Sequence, residues 1–570
     1  MSVETAPLAK DDHVVVVGAG IFGLSTSIHL AERGYTNITL LDKQPYEKTH
    51  YSYFEGCDAA SADINKIIRS AYGSQTIYQN LSFEAIQCWN SWTEELRQGG
   101  EAVPPGMSAT DDLWINNGDL SCTDGDGLPD SDKATIDSME RAGHGDTQLV
   151  NNSPQDLEAA TRGGFLPMMH PFSKNLLGVL DTTGGITLAD KACRFALHKA
   201  KRLGVRLVLD PTAGKVDSLM EGQGSDIIGV RTTDGKSHKT ALTIIASGGW
   251  TPTLVPSLDG LAETTAGSVV MLSVPEHLRG RFAPTRFPAW SYKIGDGAEG
   301  GLYGFPVDEN GVLKIGYRGT KYTNPRIQPD GLERSVPVTR WTEDETIRQI
   351  PSQALEVIRR FIHECLPELS DTEVLATRLC WYTDSFDNHF IIDRVPPKKG
   401  LMVATAGSGH AFKYLPTIGN WVVDVIEGVG LDRPAMKAWK WRSLEDDSTP
   451  VNQLMEGSRG SRALKNIELA PGVAPPGPRL RLTDAIGLGH FYAVFEDYES
   501  MTDKGKAKRE SEKERKLQYE EWLTKNGYIR HKYQDGTTEI KIEAIGVWDT
   551  VGTLGIPPAP VIGLRGSSNQ

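Results

Sequence analysis

The stretch His13-Val-Val-Val-Val-Gly18-Ala-Gly20-Ile-Phe-Gly23 decides the fold of this chain. Its four valines predict a buried β-strand, and its three glycines predict a tight turn into an amphipathic helix that ends at Gly34. The apolar run Ile38-Thr-Leu-Leu-Asp42 then predicts a second strand that closes with an acid. A strand, a glycine turn, a helix and a second strand in this order form a βαβ unit.

Each part of this unit has a physical role in holding a dinucleotide. Gly18 makes the tight turn, Gly20 lets the backbone approach a pyrophosphate, and Gly23 lets the helix pack on the strand. The helix N-terminus offers free N–H groups to the phosphates, and Asp42 can accept a hydrogen bond from a ribose hydroxyl. The complete set favours a nucleotide site over a glycine turn without a ligand, but it does not distinguish NAD from FAD.

Composition limits the classes of partner. The chain has 570 residues, of which 39% are hydrophobic, and this is enough apolar material for a large core. Lys and Arg number 60 against 74 Asp and Glu, a net charge of −14. This balance gives no general attraction for nucleic acid or for an anionic membrane, so we expect neither as a partner.

The cysteines and the apolar runs predict a soluble intracellular protein. No Cys-x-x-Cys pair is present, which argues against a zinc site built on paired cysteines and fits a reducing compartment. The longest apolar run, Val14 to Leu24, is far below the ~20 residues that a membrane-spanning helix needs. The first residues lack the order of a signal peptide. The six cysteines are Cys57, Cys88, Cys122, Cys193, Cys365 and Cys380.

Three further segments carry a family resemblance. They are ASADINKIIRSAYG at 60–73, LCWYTDSFDNHFIID at 379–393 and GSGHAFK at 407–413. Together with the βαβ unit they resemble the flavin-dependent amine oxidases of the sarcosine oxidase, pipecolate oxidase and fungal fructosyl-amino-acid oxidase (amadoriase) type. The resemblance runs from about Val14 to Gly428 and implies FAD as the cofactor.

The resemblance implies an α/β plus α+β architecture, in which an FAD-binding Rossmann-like domain is interleaved with an antiparallel-sheet substrate domain. We expect this enzyme to occupy 10–440, followed by a Pro-, Gly- and Ser-rich linker and a partial hydrolase-like tail. The expected FAD-binding parts are 10–80, 171–261 and 371–440, the substrate parts are 81–170 and 262–370, the linker is 441–483, and the tail is 484–570.

The resemblance also implies roles for single residues. Cys380 would form a thioether to the flavin, whereas the other cysteines are expected to be small buried hydrophobes. Arg69 and Lys413 would bind the substrate carboxylate, Arg in a bidentate manner and Lys as a point charge. Lys314 would promote the reaction with oxygen, although an outward-facing strand lysine is the competing interpretation. The residues expected to contact FAD are Gly18, Gly20, Ile21, Phe22, Gly23, Asp42, Lys43, Ser61, Lys66, Val216, Cys380, Gly407, Gly409, His410 and Lys413.

The implied reaction is oxidation of a secondary amino acid of the sarcosine, pipecolate or saccharopine type. The neutral amine gives up a hydride to FAD, oxygen becomes hydrogen peroxide, and water hydrolyses the imine. Oxidation of fructosyl amino acids is the alternative within the family, and an NAD-dependent dehydrogenase is an alternative outside it. Bacterial sarcosine oxidases carry a histidine where this chain has Arg318, and an arginine facing the cavity would favour a larger or second anionic group.

The tail carries a separate resemblance. GLGHFYAVFEDY at 487–498 and IGVWDTVGTLGIP at 545–557 resemble the interior of a phospholipase-like α/β-hydrolase domain common in fungi. Such a domain needs a serine nucleophile before this point and a histidine after it, and neither is visible. We expect an incomplete domain, so that deleting 446–570 would leave oxidase activity intact. The expected compartment is the cytoplasm or the peroxisome, although no C-terminal Ser-Lys-Leu signal is present.

Overall fold

The computed structural model describes residues 8–57, 59–293, 301–342, 345–443 and 450–471. Within these ranges the helices are α1 (Ile21–Glu32), α2 (Tyr46–Thr49), α3 (Thr76–Arg97), α4 (Asp130–Arg141), α5 (Pro154–Gly163), α6 (Leu166–Met169), α7 (Ala189–Arg202), α8 (Thr251–Leu254), α9 (Glu276–Arg279), α10 (Ser352–Cys365), α11 (Ile418–Glu427) and α12 (Pro434–Trp439). No helix in the described residues is both long and apolar enough to cross a membrane.

The strands of the same ranges form several sheets. They are β1 (Val14–Val17), β2 (Ile38–Asp42), β3 (Asn65–Ile68), β4 (Trp114–Ile115), β5 (Asp119–Thr123), β6 (Gln148–Val150), β7 (Leu177–Asp181), β8 (Gly185–Leu188), β9 (Arg206–Leu209), β10 (Val216–Glu221), β11 (Ile227–Thr232), β12 (Ser237–Lys239), β13 (Leu242–Ile245), β14 (Ala262–Ser273), β15 (Ala289–Lys293), β16 (Leu302–Gly304), β17 (Val312–Tyr322), β18 (Pro325–Ile327), β19 (Glu333–Ser335), β20 (Val374–Ser385), β21 (Ile391–Arg394) and β22 (Leu401–Thr405).

The predicted βαβ unit forms the centre of a six-stranded sheet with the order β21-β22-β13-β1-β2-β9. Strand β1 pairs in parallel with β2 and β13, so that Val14 lies opposite Ile38 on one side and Leu242 on the other. All four valines of β1 are buried, as expected for a parallel strand covered on both faces. Helices α1, α7 and α11 contribute to the core that covers one face.

A second, mainly antiparallel sheet has the order β20-β14-β17-β16-β15-β5-β7-β6. The long strand β14 pairs with β20, where Gly267 lies opposite Cys380, and with β17, where Met271 lies opposite Lys314. This register brings two predicted site residues, far apart in sequence, onto strands that flank the same neighbour. Helix α10 covers the sheet, and its Phe361 stacks on Trp290 with 4.6 Å between the ring centroids.

The chain visits the two large sheets alternately, as the sequence predicts. Two of the expected boundaries differ, because β7 lies within the predicted FAD part 171–261 and β20 lies within the predicted FAD part 371–440. Both strands belong to the eight-stranded sheet instead. Strand β20 therefore carries Cys380 as part of the eight-stranded sheet.

The predicted linker also differs from what the structure shows. Residues 450–471 are packed: Leu464 and Ala470 join the core beside the eight-stranded sheet. The backbone N–H of Leu464 donates to the carbonyl of Thr323 at 2.9 Å, and that of Ala470 donates to Ile350 at 2.8 Å. A composition rich in Pro, Gly, Ser and Arg concealed these few apolar contacts. The predicted tail 484–570 lies outside the described residues, in the second of two units, 1–475 and 476–570.

Candidate active site

The glycine turn after β1 is built for close approach of backbone. Gly18 has φ +106°, and a Cβ placed on it would lie 2.5 Å from the carbonyl oxygen of Ala246. A Cβ on Gly23 would lie 1.7 Å from the carbonyl oxygen of Gly18, so helix and turn pack with no room for a side chain. Both glycines therefore have the packing roles that the sequence predicts.

The N-terminus of α1 suits a phosphate. Gly20 caps the helix without a side-chain hydrogen bond, and no acidic residue lies in the first turn. The buried Ser61 hydroxyl lies 3.5 Å from the position that a Gly20 Cβ would take. Uncapped N–H groups, the helix dipole and a nearby hydroxyl form a cradle that fits a dinucleotide pyrophosphate. Ile21 and Phe22 open this helix, where the sequence places them.

Asp42 stands at the end of β2, directly beside the turn. Its carboxylate accepts from the backbone N–H of Ala19 at 2.7 Å and from that of Gln44 at 2.8 Å. Burial raises the pKa of Asp42, while these two hydrogen bonds oppose the rise. The two bonds fix the carboxylate at the strand end, and an ionised carboxylate keeps further lone pairs for a ribose hydroxyl.

Two other predicted FAD contacts surround the same strand ends. Lys43 follows Asp42, and its ammonium lies 4.1 Å from the ring centroid of Trp250. Val216, at the start of β10, packs against the core cluster that contains Val17 of β1. Lys43 thus continues directly from the end of β2, and Val216 packs on the cluster that includes the last valine of β1.

Lys314 and Lys66 share one buried carboxylate. The Lys314 ammonium, only 1% exposed, lies 2.9 Å from Oδ1 of Asp63 and donates to the carbonyl of Asn65 at 2.6 Å. Lys66 lies 2.6 Å from Oδ2 of the same aspartate. Burial lowers the pKa of Lys314 to about 7, and Asp63 opposes this fall. The competing prediction of an outward-facing strand lysine is therefore wrong.

Cys380 lies on the same sheet as this ion cluster. Its side chain is buried in a small apolar cluster with Met271 and Val312, one strand away from Lys314. The neighbouring Arg378 is also buried, and its guanidinium donates to the carbonyls of Ala62 at 2.7 Å and Ala59 at 3.1 Å. These two bonds tie the sheet to the segment that carries Asp63 and Lys66.

Arg69 and Lys413 converge on one phenol. The Lys413 ammonium donates to the hydroxyl of Tyr72 at 2.7 Å, and the Arg69 guanidinium lies 5.1 Å from the Tyr72 ring centroid. Burial opposes ionisation of this phenol, but Lys413 and Arg69 lower its pKa below the ordinary tyrosine value. The predicted pair of cations is therefore brought together, separated in sequence by more than three hundred residues.

His410 lies against the same phenol. Its Nδ1 is 3.3 Å from the Tyr72 hydroxyl, and its Nε2 is 3.1 Å from the carbonyl oxygen of Asn388. Burial, followed by the charges of Lys413, Arg318 and Arg69, holds the pKa of His410 well below its ordinary value. His410 is thus a neutral imidazole at physiological pH, and three cations act on it.

The turn that precedes His410 has a left-handed backbone at several positions. Ala406 has φ 56°, Ser408 has φ 44° and Gly409 has φ 72°. Positive φ at two non-glycine residues stores strain of a kind that clusters at ligand-binding sites. A Cβ on Gly407 would lie 2.9 Å from the Cβ of Ala411, so Gly407 is also required for close packing.

Sequence reasoning missed several residues of this site. Asp63 and Tyr72 lie inside the quoted segment 60–73, but nothing in the sequence shows which cations they meet. Asp119 of β5 is a buried carboxyl whose Oδ1 has no hydrogen-bond partner within the described ranges, and burial raises its pKa to about 6. The adjacent Asp181 accepts from the backbone N–H of Ser70 at 3.0 Å and so positions the loop after Arg69.

Comparison with known proteins identifies the family. A family model described as FAD dependent oxidoreductase matches residues 13–425, which is most of the chain. The chain belongs to this FAD-dependent oxidoreductase family. The match decides between NAD and FAD, which the glycine motif alone left open. It also confirms the predicted fold class and the predicted family resemblance.

The alignments with curated relatives span nearly the whole length of those relatives. L-saccharopine oxidase of Schizosaccharomyces pombe is 27% identical over 448 residues, covering 76% of this chain and 93% of the relative. The peroxisomal sarcosine oxidase of Mus musculus is 26% identical over 408 residues, covering 71% and 90%. A solved fructosamine oxidase, amadoriase II of Aspergillus fumigatus in complex with FSA, is 26% identical with a TM-score of 0.60, covering 76% and 90%.

The tail has a match of its own. A model described as the catalytic domain of Tle1-like phospholipase effectors of the type VI secretion system matches residues 481–567. The predicted resemblance of this region to a phospholipase-like domain is therefore confirmed. This match covers far less than half of the chain, so the family assigned from residues 13–425 is unchanged.

Proposed function

We propose that this protein oxidises secondary amino acids with FAD and molecular oxygen. The single observation that carries the proposal is the convergence of Arg69 and Lys413 on Tyr72 beside the neutral His410. Two cations in a site of low solvent exposure are suited to the carboxylate of an amino acid. The names of the relatives, a saccharopine oxidase and a sarcosine oxidase, support the same substrate class.

The charges of the site also favour the reactive form of the amine. A secondary amine is mostly an ammonium at neutral pH and must lose its proton before its C–H bond can give up hydride. Arg69, Lys413 and Arg318 all act on His410, so an ammonium bound there would feel the same positive field. Nearby like charges lower the pKa of an ammonium, and the site therefore promotes the neutral amine.

The cradle of Gly18, Gly20, Ser61 and Asp42 would hold FAD. When bound, FAD accepts hydride from the substrate carbon and passes the electrons to oxygen. Lys314 offers a buried cation beside the site, where it would stabilise the anion formed as oxygen takes up an electron. Cys380 offers a buried thiol on β20, which β14 separates from the strand of Lys314, and we propose this thiol as the attachment point of the flavin.

Oxidation of fructosyl amino acids is the second candidate. The similarity to the solved amadoriase favours it, because 76% of this chain matches that structure at 26% identity. Both candidates share the carboxylate site and differ in the group on the substrate nitrogen.

We also propose the cytoplasm or the peroxisome as the compartment. Cys88, Cys122, Cys193, Cys365 and Cys380 form no disulfide bond in the described part of the chain, which fits a reducing environment. Peroxide production would fit the peroxisome, the compartment in the name of the mouse relative.

A screen for released hydrogen peroxide tests the proposed function. The substrates are sarcosine, other N-methyl amino acids, pipecolate, saccharopine and fructosyl amino acids, with the parent primary amino acids as controls. We expect turnover of secondary amino acids, and a loss of about 100-fold in kcat/KM on Arg69→Met, since a charged hydrogen-bonded pair is removed. Absence of peroxide with every substrate, from protein that carries FAD, would overturn the proposal.

A further inference from the structure

Arg318 lies on the face of the eight-stranded sheet that carries the proposed chemistry. It is four positions after Lys314 on β17, and alternate residues of a strand share a face. Its guanidinium lies 5.3 Å from the ring centroid of Tyr382, which follows Cys380 by two positions on β20. The sheet therefore presents Lys314, Arg318, Cys380 and Tyr382 on one side.

Two glycines make room for this guanidinium. A Cβ on Gly409, in the strained turn, would lie 2.5 Å from Cζ of Arg318. A Cβ on Gly267 of β14 would lie 3.3 Å from Cγ of Arg318 and 3.5 Å from the hydroxyl of Tyr382. Side chains at either position would displace Arg318 from its place between the sheet and the turn.

Arg318 is placed there without an anionic partner. Within the described residues it forms no ion pair, and its acceptors are the carbonyls of Ser408 at 3.3 Å and Gly409 at 3.4 Å. The nearby carboxylate of Asp384 lies 2.7 Å from the ammonium of Lys321 and accepts from Thr265 at 2.7 Å. An arginine remains charged at every physiological pH. A partly buried guanidinium without an anion destabilises the protein, and a bound anionic ligand would remove this destabilisation.

Two polar atoms at this place have no hydrogen-bond partner among the residues that the structure describes. They are Nε of Arg318 and the hydroxyl of Tyr382, and both are buried. Buried donors left unsatisfied destabilise a protein, and they commonly mark the position of a ligand. The side of a guanidinium, with Nε and one Nη, matches the two oxygens of a carboxylate.

The first carboxylate site lies beside the turn that Arg318 contacts. The Arg318 guanidinium donates to the carbonyl of Gly409 at 3.4 Å, directly before His410, and the charges of Lys413, Arg318 and Arg69 all lower the pKa of His410. Arg69 and Lys413 meet at Tyr72, whereas Arg318 meets Tyr382. The cations thus form two groups around His410, one with two members and one with a single arginine.

We propose that Arg318 and the Tyr382 hydroxyl bind a second carboxylate of the substrate. The preferred substrates are then secondary amino acids whose nitrogen substituent ends in a carboxylate, with the first carboxylate on Arg69 and Lys413. This inference rests on the proposed function and names the substrate class of the same site. A substrate with one carboxylate leaves Arg318 uncompensated and binds more weakly.

Calorimetry on the FAD-loaded protein tests the second subsite without turnover. The probes are linear dicarboxylates from succinate to pimelate and monocarboxylates of equal chain length. For the best chain length we expect the dicarboxylate to bind about 10- to 100-fold more tightly, because it adds one charge-assisted pair. Arg318→Met should bring the two affinities within about 3-fold, and Arg318→Lys should keep part of the preference.

The matched control is Arg326→Met. Arg326 is a half-exposed arginine of β18 that already pairs with Glu345. The preference for dicarboxylates should therefore remain in this variant. If Arg318→Met does not fold, Arg318→Lys and Tyr382→Phe carry the test, each with an expected partial loss of preference. An unchanged preference in the Arg318 variants, or none in the wild-type protein, would overturn the inference.

Turnover separates this inference from the proposed function. We expect wild-type kcat/KM for saccharopine to exceed that for pipecolate, and Arg318→Met to lose at least 10-fold more with saccharopine. Equal losses on both substrates would mean that Arg318 only supports the turn, and this would overturn the second subsite while leaving the oxidase function intact. If the wild-type protein oxidises no secondary amino acid, the function fails, and calorimetry still decides the subsite.

Discussion

The surroundings of Lys314 control whether its side chain is charged. Burial lowers its pKa to about 7, and Asp63 at 2.9 Å opposes this fall. The ammonium is therefore charged below about pH 7 and loses its charge as the pH rises through this value. An oxygen reaction that depends on a cation at this position should weaken over the same interval.

We predict that the rate of flavin reoxidation by oxygen falls as the pH rises through about 7. Asp63→Asn removes the anion that favours the charged lysine, so the midpoint should move to lower pH. Lys314→Met should slow reoxidation by about 100-fold or more below about pH 7, where the wild-type lysine is charged, and by progressively less as the pH rises above this value. Stopped-flow absorbance at a series of pH values measures these rates.

Asp111→Asn is the control for the aspartate variant. Asp111 also pairs with a lysine, Lys191 at 2.9 Å, but this pair is partly exposed and does not include Lys314. This variant should keep the wild-type pH profile. A profile that stays the same in Asp63→Asn would show that the aspartate does not control the charge of Lys314.

Cys380 provides a second test at the scale of one residue. We predict that wild-type protein precipitated with acid keeps its yellow colour, and that Cys380→Ala releases the flavin into the supernatant. Cys88→Ala is the matched control, because Cys88 is a partly exposed cysteine of α3 outside the site. Flavin absorbance of pellet and supernatant measures the result, and equal retention in wild-type and Cys380→Ala protein would exclude this thiol.

At the scale of elements, the turn from β1 into α1 combines folding and cofactor binding. We predict that Gly23→Ala greatly reduces the FAD content and the melting temperature, because its Cβ would lie 1.7 Å from the carbonyl oxygen of Gly18. Gly34→Ala is the control, since its Cβ would meet nothing within 4 Å. In that control the alanine is strained only by its backbone φ of +85°, which lowers the free energy of unfolding by about 1 kcal/mol. The ratio of flavin to protein absorbance, with a thermal melt, distinguishes the two variants, and a full FAD content in Gly23→Ala would contradict the prediction.

The elements also show what sequence can and cannot predict. The βαβ unit was predictable because its signals are local: four valines, three spaced glycines and an acid after the next strand. The partners of the site residues were not, because Lys314 meets Asp63 only through the tertiary packing of segments about 250 positions apart. Arg69 and Lys413 were paired only through a family resemblance, and Tyr72 between them has no separate signal in the sequence. The boundary errors have the same origin, since β7 and β20 look like any strand until their neighbours are known.

At the scale of the whole molecule, the described part of the chain is larger than the predicted enzyme. Residues 450–471 add Leu464 and Ala470 to the buried core beside the eight-stranded sheet, and Ala463 is also buried. Their backbone joins two separate segments of the substrate side, through Thr323 and through Ile350. The expected removal of 446–570 without loss of activity therefore needs correction, because it would also remove this packed segment.

We predict that protein ending at residue 475 keeps the melting temperature and the oxidase activity of the full chain. Protein ending at residue 449 should lose about 3 kcal/mol or more of unfolding free energy, since burial of one leucine alone contributes about 2 kcal/mol and hydrogen bonds add to it. Leu464→Ala in the protein ending at 475 is the matched point variant, and it should account for a large part of this loss. Thermal melts of the three proteins, all loaded with FAD, measure the effect. A protein ending at 449 as stable as the one ending at 475 would show that 450–471 is a linker after all, whereas instability of both truncated proteins would place a structural role in 476–570.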